Sequence, residues 1–250
     1  MMKKLLICMM TGFPFLLAAQ GTEGQIRYTE TIKLEIDLPE EQKHLLAMIP
    51  TTQTANKILH FNATESIYLE DDASNDDSYV EENSTQGDVQ MKMIVMRPEN
   101  KLYKDLANTS LIQLREFRGK KFLIDEALEA SNWKLSGEEK QILNYNCRKA
   151  SYQDGENKVE AWFTSELPIP NGPDSFGQLP GMILEVNMND GKLHILATEV
   201  QLTPQSAEVI QAPQKGKKVS REKFEKIVEE KTKEMQEAMG GSGVQINIRN

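Results

Sequence analysis

The chain has 250 residues, of which 39% are apolar and 27% charged, enough to bury one substantial core and too polar for a multi-pass membrane protein. Its 29 basic side chains stand against 38 acidic ones, a formal net charge of -9. That balance lacks the basic footprint that neutralises phosphates, so nucleic acid is not an expected partner.

At the N-terminus Met1-Met2-Lys3-Lys4 precedes an apolar run over 5–19 that ends on a small residue, Ala19. These are the parts of a secretory signal peptide, and the run is short for a bilayer span. Residues 1–20 are expected to be removed, leaving a periplasmic or secreted chain with no transmembrane segment. Cys8 lies inside the apolar run rather than at a cleavage position, which argues against lipid attachment. Of the two cysteines only Cys147 then remains, and alone it cannot close an intrachain disulfide. Burial as a small hydrophobe is favoured over a reactive thiol, with Arg148 and Lys149 beside it as the argument for reactivity.

Period two then dominates. Over 25–36, Ile26, Tyr28, Ile32, Leu34 and Ile36 share one side, the alternation of a half-buried antiparallel strand, which Pro39 ends. A short helical piece is expected over 40–49, closed by Pro50. Strands follow at 57–62, 66–70, 89–96, 101–105, 110–117, 120–124 and 133–135. Two clearer hairpins come next: 144–152 with 158–164 around Asp154-Gly155, and 182–188 with 192–201 around Asn189-Asp190-Gly191. Residues 21–203 read as one antiparallel β domain and 204–219 as a flexible linker. The spacing changes to that of a helix over 220–239, where Phe224, Ile227, Val228, Met235 and Met239 lie near one stripe, Ser220 caps the start, and a Gly-containing tail, 240–250, follows. Many short strands with local turns predict a mainly β fold: a strongly curved antiparallel sheet or open half-barrel with a C-terminal α-helix.

Chemistry is sparse in this pattern. The acidic run over 70–82 lacks the turn glycine and alternate spacing of a calcium loop, so a solvated excursion is favoured. His44, His60 and His194 stand far apart and form no zinc spacing. Met91, Met93 and Cys147 are weak soft-metal candidates for Cu(I), without a methionine-rich tract or a Cys/His cluster to support them. No nucleophile elbow, phosphate loop or Cys/His signature is present, so no cofactor and no catalytic residue are assigned.

The most specific segment runs from Trp162 through Pro168, Pro170, Gly172, Pro173, Phe176, Gly177, Leu179, Pro180, Gly181 and Met182. Three prolines over 168–173 remove ladder donors and fix φ, and Gly172, Gly177 and Gly181 permit turns, so the chain makes a stiff crossover between two strands. Ile169, Phe176, Leu179 and Met182 are costly to leave in water, so the loop either plugs the open end of the sheet or presents an apolar contact surface. Here the chain resembles the GLPGLI family of Gram-negative envelope proteins, with Gln178-Leu179-Pro180-Gly181-Met182-Ile183 as the name motif and Gln178 in place of its first glycine. That substitution argues against a positive φ at position 178.

The resemblance implies a cell-envelope protein, and with no catalytic motif in the residues a non-enzymatic binding or accessory role is expected. Its partners would be a small apolar ligand in the sheet's concavity or an outer-membrane or periplasmic protein. Copper binding through Met and Cys is one alternative, and a hydrolase whose site is gathered from distant residues is another.

Overall fold

Strand β1 (Gly24–Lys33) keeps its alternation, with Ile26 and Tyr28 turned into the core at 0% and 1% exposure. The computed structural model describes residues 22–37, 51–73, 98–238 and 245–247, and the same side-chain logic carries through them. In chain order follow β2 (Glu35–Asp37), β3 (Thr52–Phe61), β4 (Glu65–Glu70), β5 (Asn100–Asp105), β6 (Ser110–Phe117) and β7 (Lys120–Ala127). Then come β8 (Lys134–Ile142), β9 (Tyr145–Asp154), β10 (Asn157–Thr164), β11 (Met182–Met188) and β12 (Leu193–Gln201). The chain continues through β13 (Lys217–Val219), helix α1 (Arg221–Ala238) and β14 (Gln245–Asn247).

Twelve strands form one open sheet in the order β13-β7-β6-β5-β4-β3-β1-β12-β11-β10-β9-β8, and β14 pairs separately with β2. Sequence neighbours pair as hairpins in both halves, and β1 joins the halves by pairing β3 on one side and β12 on the other. Among the described residues every pairing is antiparallel except that of β13 with β7. The fold is therefore mainly β, a curved antiparallel sheet with one helix near the C-terminus, as the periodicity predicts.

The two faces carry different cover. The concave face holds the main core, built on Ile26, Leu59, Phe61, Leu102, Ala161, Phe163, Ile183 and Ile195. Over it folds the 165–181 loop, which buries Leu167, Ile169 and Leu179. At the far end of that face Phe224 of α1 stacks edge-on against Phe122 of β7, with ring centroids 5.4 Å apart. On the opposite face Ile210 buries against Ile67 of β4 and Tyr103 of β5, so the 204–216 segment crosses the back of the sheet before β13 and α1 turn around its edge.

Some expectations differ from the structure in extent. Alternation predicts a strand only over 133–135, whereas β8 runs to Ile142; it is a polar edge strand with few buried positions, so its face leaves no apolar trace. Leu143 occupies the turn before β9 at φ 53 and is exposed. The leader 1–20, the helical piece 40–49, the strand 89–96 with Met91 and Met93, and most of the acidic run lie outside the described residues.

Candidate acid–base site

A strand that alternates Ile26, Tyr28, Glu30 places a carboxylate where the pattern calls for an apolar side chain. Glu30 is the seed of a polar belt across the concave face. Tyr68 of β4 donates its hydroxyl to Glu30 Oε2 at 3.3 Å, and its ring meets that of Tyr28 edge-on at 6.0 Å. Lys57 of β3 is buried and ion-paired with Glu70 of β4, whose second carboxylate oxygen is buried without a partner among the described residues. Lys104 of β5 is 1% exposed, and its ammonium donates to the carbonyls of Gly172, Asp174 and Phe176 at 2.7, 2.8 and 3.0 Å. Arg115 of β6 sits over the Phe224 ring at 5.6 Å, and Arg221 of α1 grips Glu126 of β7.

Burial of these groups changes their chemistry. The Glu30 carboxyl is pushed up to about 7, first by loss of water and then by the charges of Asp174 and Glu70, against the pull of Lys57 and the Tyr68 hydroxyl. Burial holds the Tyr28 and Tyr68 hydroxyls well above the usual phenol range, so both stay neutral donors. The same effect lowers the Lys104 ammonium to about 7, with Asp174 opposing it. It also draws Arg115 below its ordinary value. Glu30 and Asp174 remain partly open to solvent. A carboxyl poised near neutrality, flanked by fixed donors and reachable by water, is the equipment of general acid–base catalysis.

The proline- and glycine-rich loop lies against this belt. Pro168, Pro170 and Pro180 face solvent; Gly172, Pro173, Gly177, Leu179, Gly181 and Met182 are buried; and Phe176 packs on the core from its edge. Its backbone is pinned by Met182 N to Leu167 O at 2.9 Å, Ile183 N to Asn171 O at 2.9 Å, and Trp133 Nε1 to Gly177 O at 2.9 Å. The apolar members thus fill the core, and what the loop offers to the cleft is Asp174 and three carbonyls. Gln178 adopts φ 64, contrary to the expectation drawn from its side chain. Its amide offsets the strain by donating to Glu129 O at 2.8 Å and accepting Ser131 N at 3.0 Å.

Cys147 is fully buried, and burial raises its thiol to about 11 despite the attraction of Lys140. A cavity of about 300 Å³ beside it is lined by Glu139, Asn146, Arg148, Phe163, Ser165 and Glu166, with no histidine to activate the sulfur. Among the described residues no cluster of three His, Cys, Asp or Glu side chains could hold a metal ion. His60 bonds Gln205 and His194 bonds Glu185, on separate parts of the sheet.

These features define an open, curved-sheet domain with a belt of buried polar groups on its concave face. The chain belongs to the family described as the N-glycanase peptide, N-terminal domain, whose model matches residues 75–224. Two solved structures of PNGF-II share the fold. The P21 crystal form has a TM-score of 0.52 at 18% identity and covers 79% of this chain and 32% of its own. The C2 form has a TM-score of 0.52 at 15% identity, covering 81% and 32%. The chain spans about a third of the length of those structures. No curated protein matches it.

This membership corrects two expectations. The GLPGLI resemblance does not hold, because the residues that carry it, 162–183, fall inside the span matched by the N-glycanase family. Their Pro/Gly pattern answers the demands of a buried crossover between β10 and β11, which any family with this connection must meet. The expectation of a non-enzymatic binding or accessory protein falls with it, since the family is named for a hydrolase. That expectation rested on missing linear motifs, whose absence says nothing of a site gathered from residues far apart in sequence.

Proposed function

We propose that the chain is a module of a glycan-directed hydrolase of the N-glycanase class, with Glu30 as its acid–base group. Family membership over residues 75–224 is the observation that carries the class. The Glu30–Tyr68 pair supplies the chemistry. Hydrolysis of a sugar–nitrogen linkage needs a proton delivered to the departing nitrogen and a water deprotonated as its oxygen bonds the carbon. A carboxyl near 7 is divided between its two forms at neutral pH and serves either step. Tyr68 orients it through their hydrogen bond, and the desolvated Arg115 and Lys104 lie on the same face of the sheet. The leader over 1–20 supports a periplasmic or secreted location, which cell fractionation tests.

The experiment is release of glycan from an N-linked glycopeptide by the 250-residue chain, followed by mass spectrometry. Glu30→Gln is expected to reduce the rate by a factor on the order of a hundred or more without lowering the melting temperature. No release by the unaltered chain, or release indifferent to the substitution, removes the assignment.

A further inference from the structure

Burying an ammonium is costly unless all its protons find acceptors. Lys104 meets this condition in an unusual way, because its three acceptors, the carbonyls of Gly172, Asp174 and Phe176, come from one five-residue loop. In that loop Asp174 adopts φ 47, a left-handed conformation that aspartate tolerates better than most residues with a Cβ. Two local bonds, Ser175 N to Asp174 Oδ1 at 2.6 Å and Phe176 N to Pro173 O at 3.1 Å, shape the turn, but neither ties it to the sheet. The charge of Asp174 reaches Glu30, Tyr68, Lys104, Arg115 and Arg221, so the loop delivers a carboxylate to the centre of the belt.

We infer that Lys104 is a positioning residue: by tying the 172–176 carbonyls to β5 it holds Asp174 as the second carboxylate of the Glu30 site. The catalytic meaning of this rests on the reading of Glu30 given above, but the coupling itself does not. Five groups bear on Glu30. Lys57 from β3 and the Tyr68 hydroxyl from β4 favour its ionised form, Asp174 from the loop and Glu70 from β4 favour the protonated one, and Arg115 from β6 feels its charge. Asp174 is the one member of this set carried on a loop rather than a strand. Its contribution therefore depends on what fixes residues 172–176 between the anchors at Asn171 and Gly177, and the Lys104 clasp does so.

The test is a carboxyl ¹³C NMR titration of Glu30 in four proteins: unaltered, Asp174→Asn, Lys104→Met, and the double variant. Asp174→Asn lowers the Glu30 midpoint by removing a like charge. Lys104→Met is expected to lower it by a similar amount, and the double variant to go no further, because a released loop no longer presents Asp174. A structural lysine with no part in positioning gives a different result: Asp174→Asn then shifts Glu30 as much in the Lys104→Met background as in the unaltered protein, and the inference is overturned. Should Lys104→Met fail to fold, the ¹⁵N ammonium signal of Lys104 in the unaltered chain decides. Slow proton exchange supports the three-carbonyl clasp and fast exchange refutes it. Absence of glycan release with the coupling intact refutes the hydrolase reading alone, whereas release without the coupling refutes the role of Lys104 alone.

Discussion

The Tyr28 hydroxyl donates to the Ile183 carbonyl at 2.8 Å, linking β1 to the start of β11 across the concave side of β12. Both residues are essentially excluded from water, at 1% and 0% exposure, so neither atom has solvent as a substitute partner. Tyr28→Phe keeps the ring and its contact with Tyr68 but leaves a buried carbonyl short of a donor. The expected loss is about 1–3 kcal/mol, read as a lower urea midpoint with an unchanged slope. A midpoint equal to that of the unaltered protein would mean that the bond contributes nothing net.

Gln178 offers a comparison between strain and hydrogen bonding at one position. Its φ of 64 costs a non-glycine residue on the order of 1–2 kcal/mol, and its two side-chain bonds to Ser131 N and Glu129 O return about 0.5–1.5 kcal/mol each. Gln178→Ala loses the bonds and keeps the strain, so it is expected to destabilise by about 1–3 kcal/mol. Gln178→Gly loses the same bonds but relieves the backbone, and should lie nearer to neutral. Thermal melts of the pair check the order; alanine equal to or better than glycine contradicts it.

Alternation identified the strands because one face of each is buried, and it identified α1 because Phe224 and Ile227 recur at helical spacing on the face toward β7. It reached only the start of β8, whose polar edge position erases the pattern, and missed β13, a three-residue strand in which only Val219 packs inward. The acid–base site was half legible. Glu30 interrupts the series Ile26, Tyr28, Ile32, and a charge at an inward position is a signal available from the residues alone. Lys104 after Leu102 is another. What no linear reading supplies is that Asp174, seventy positions beyond Lys104, returns to the same cleft, since strand order rather than spacing decides that meeting. The crossover loop was legible as stiff and apolar, yet its chemistry lies in Asp174 and the carbonyls, which composition does not mark.

Cys147 should behave as part of the core. A thiol held at about 11 is almost wholly protonated at neutral pH, and its sulfur is shielded from reagent. Alkylation by iodoacetamide at about neutral pH is expected to be slower than for an unfolded peptide thiol by a factor on the order of a hundred, and to recover fully in denaturant. Rapid labelling of the native chain would show that the 300 Å³ cavity opens to the sulfur.

The elevated Glu30 carboxyl carries a prediction about stability against pH. In the folded chain it binds its proton up to about 7, and in the unfolded chain only up to about 4.5. Between these values the folded state holds more protons, so stability falls as pH rises through the window and stays lower above it. Glu30→Gln, which remains neutral throughout, should match the unaltered protein below pH 4.5 and exceed it above pH 7 by on the order of 1–3 kcal/mol, less any relief through water entering the cleft. Lys104 titrates in the same region with the opposite sign, since its lowered pKa means that stability is regained as pH rises from about 7. That contribution is common to both proteins and cancels in their difference. Urea unfolding of the pair across the window therefore isolates Glu30, and curves that remain parallel would show that the carboxyl is ordinary in the folded protein and ill suited to acid–base work.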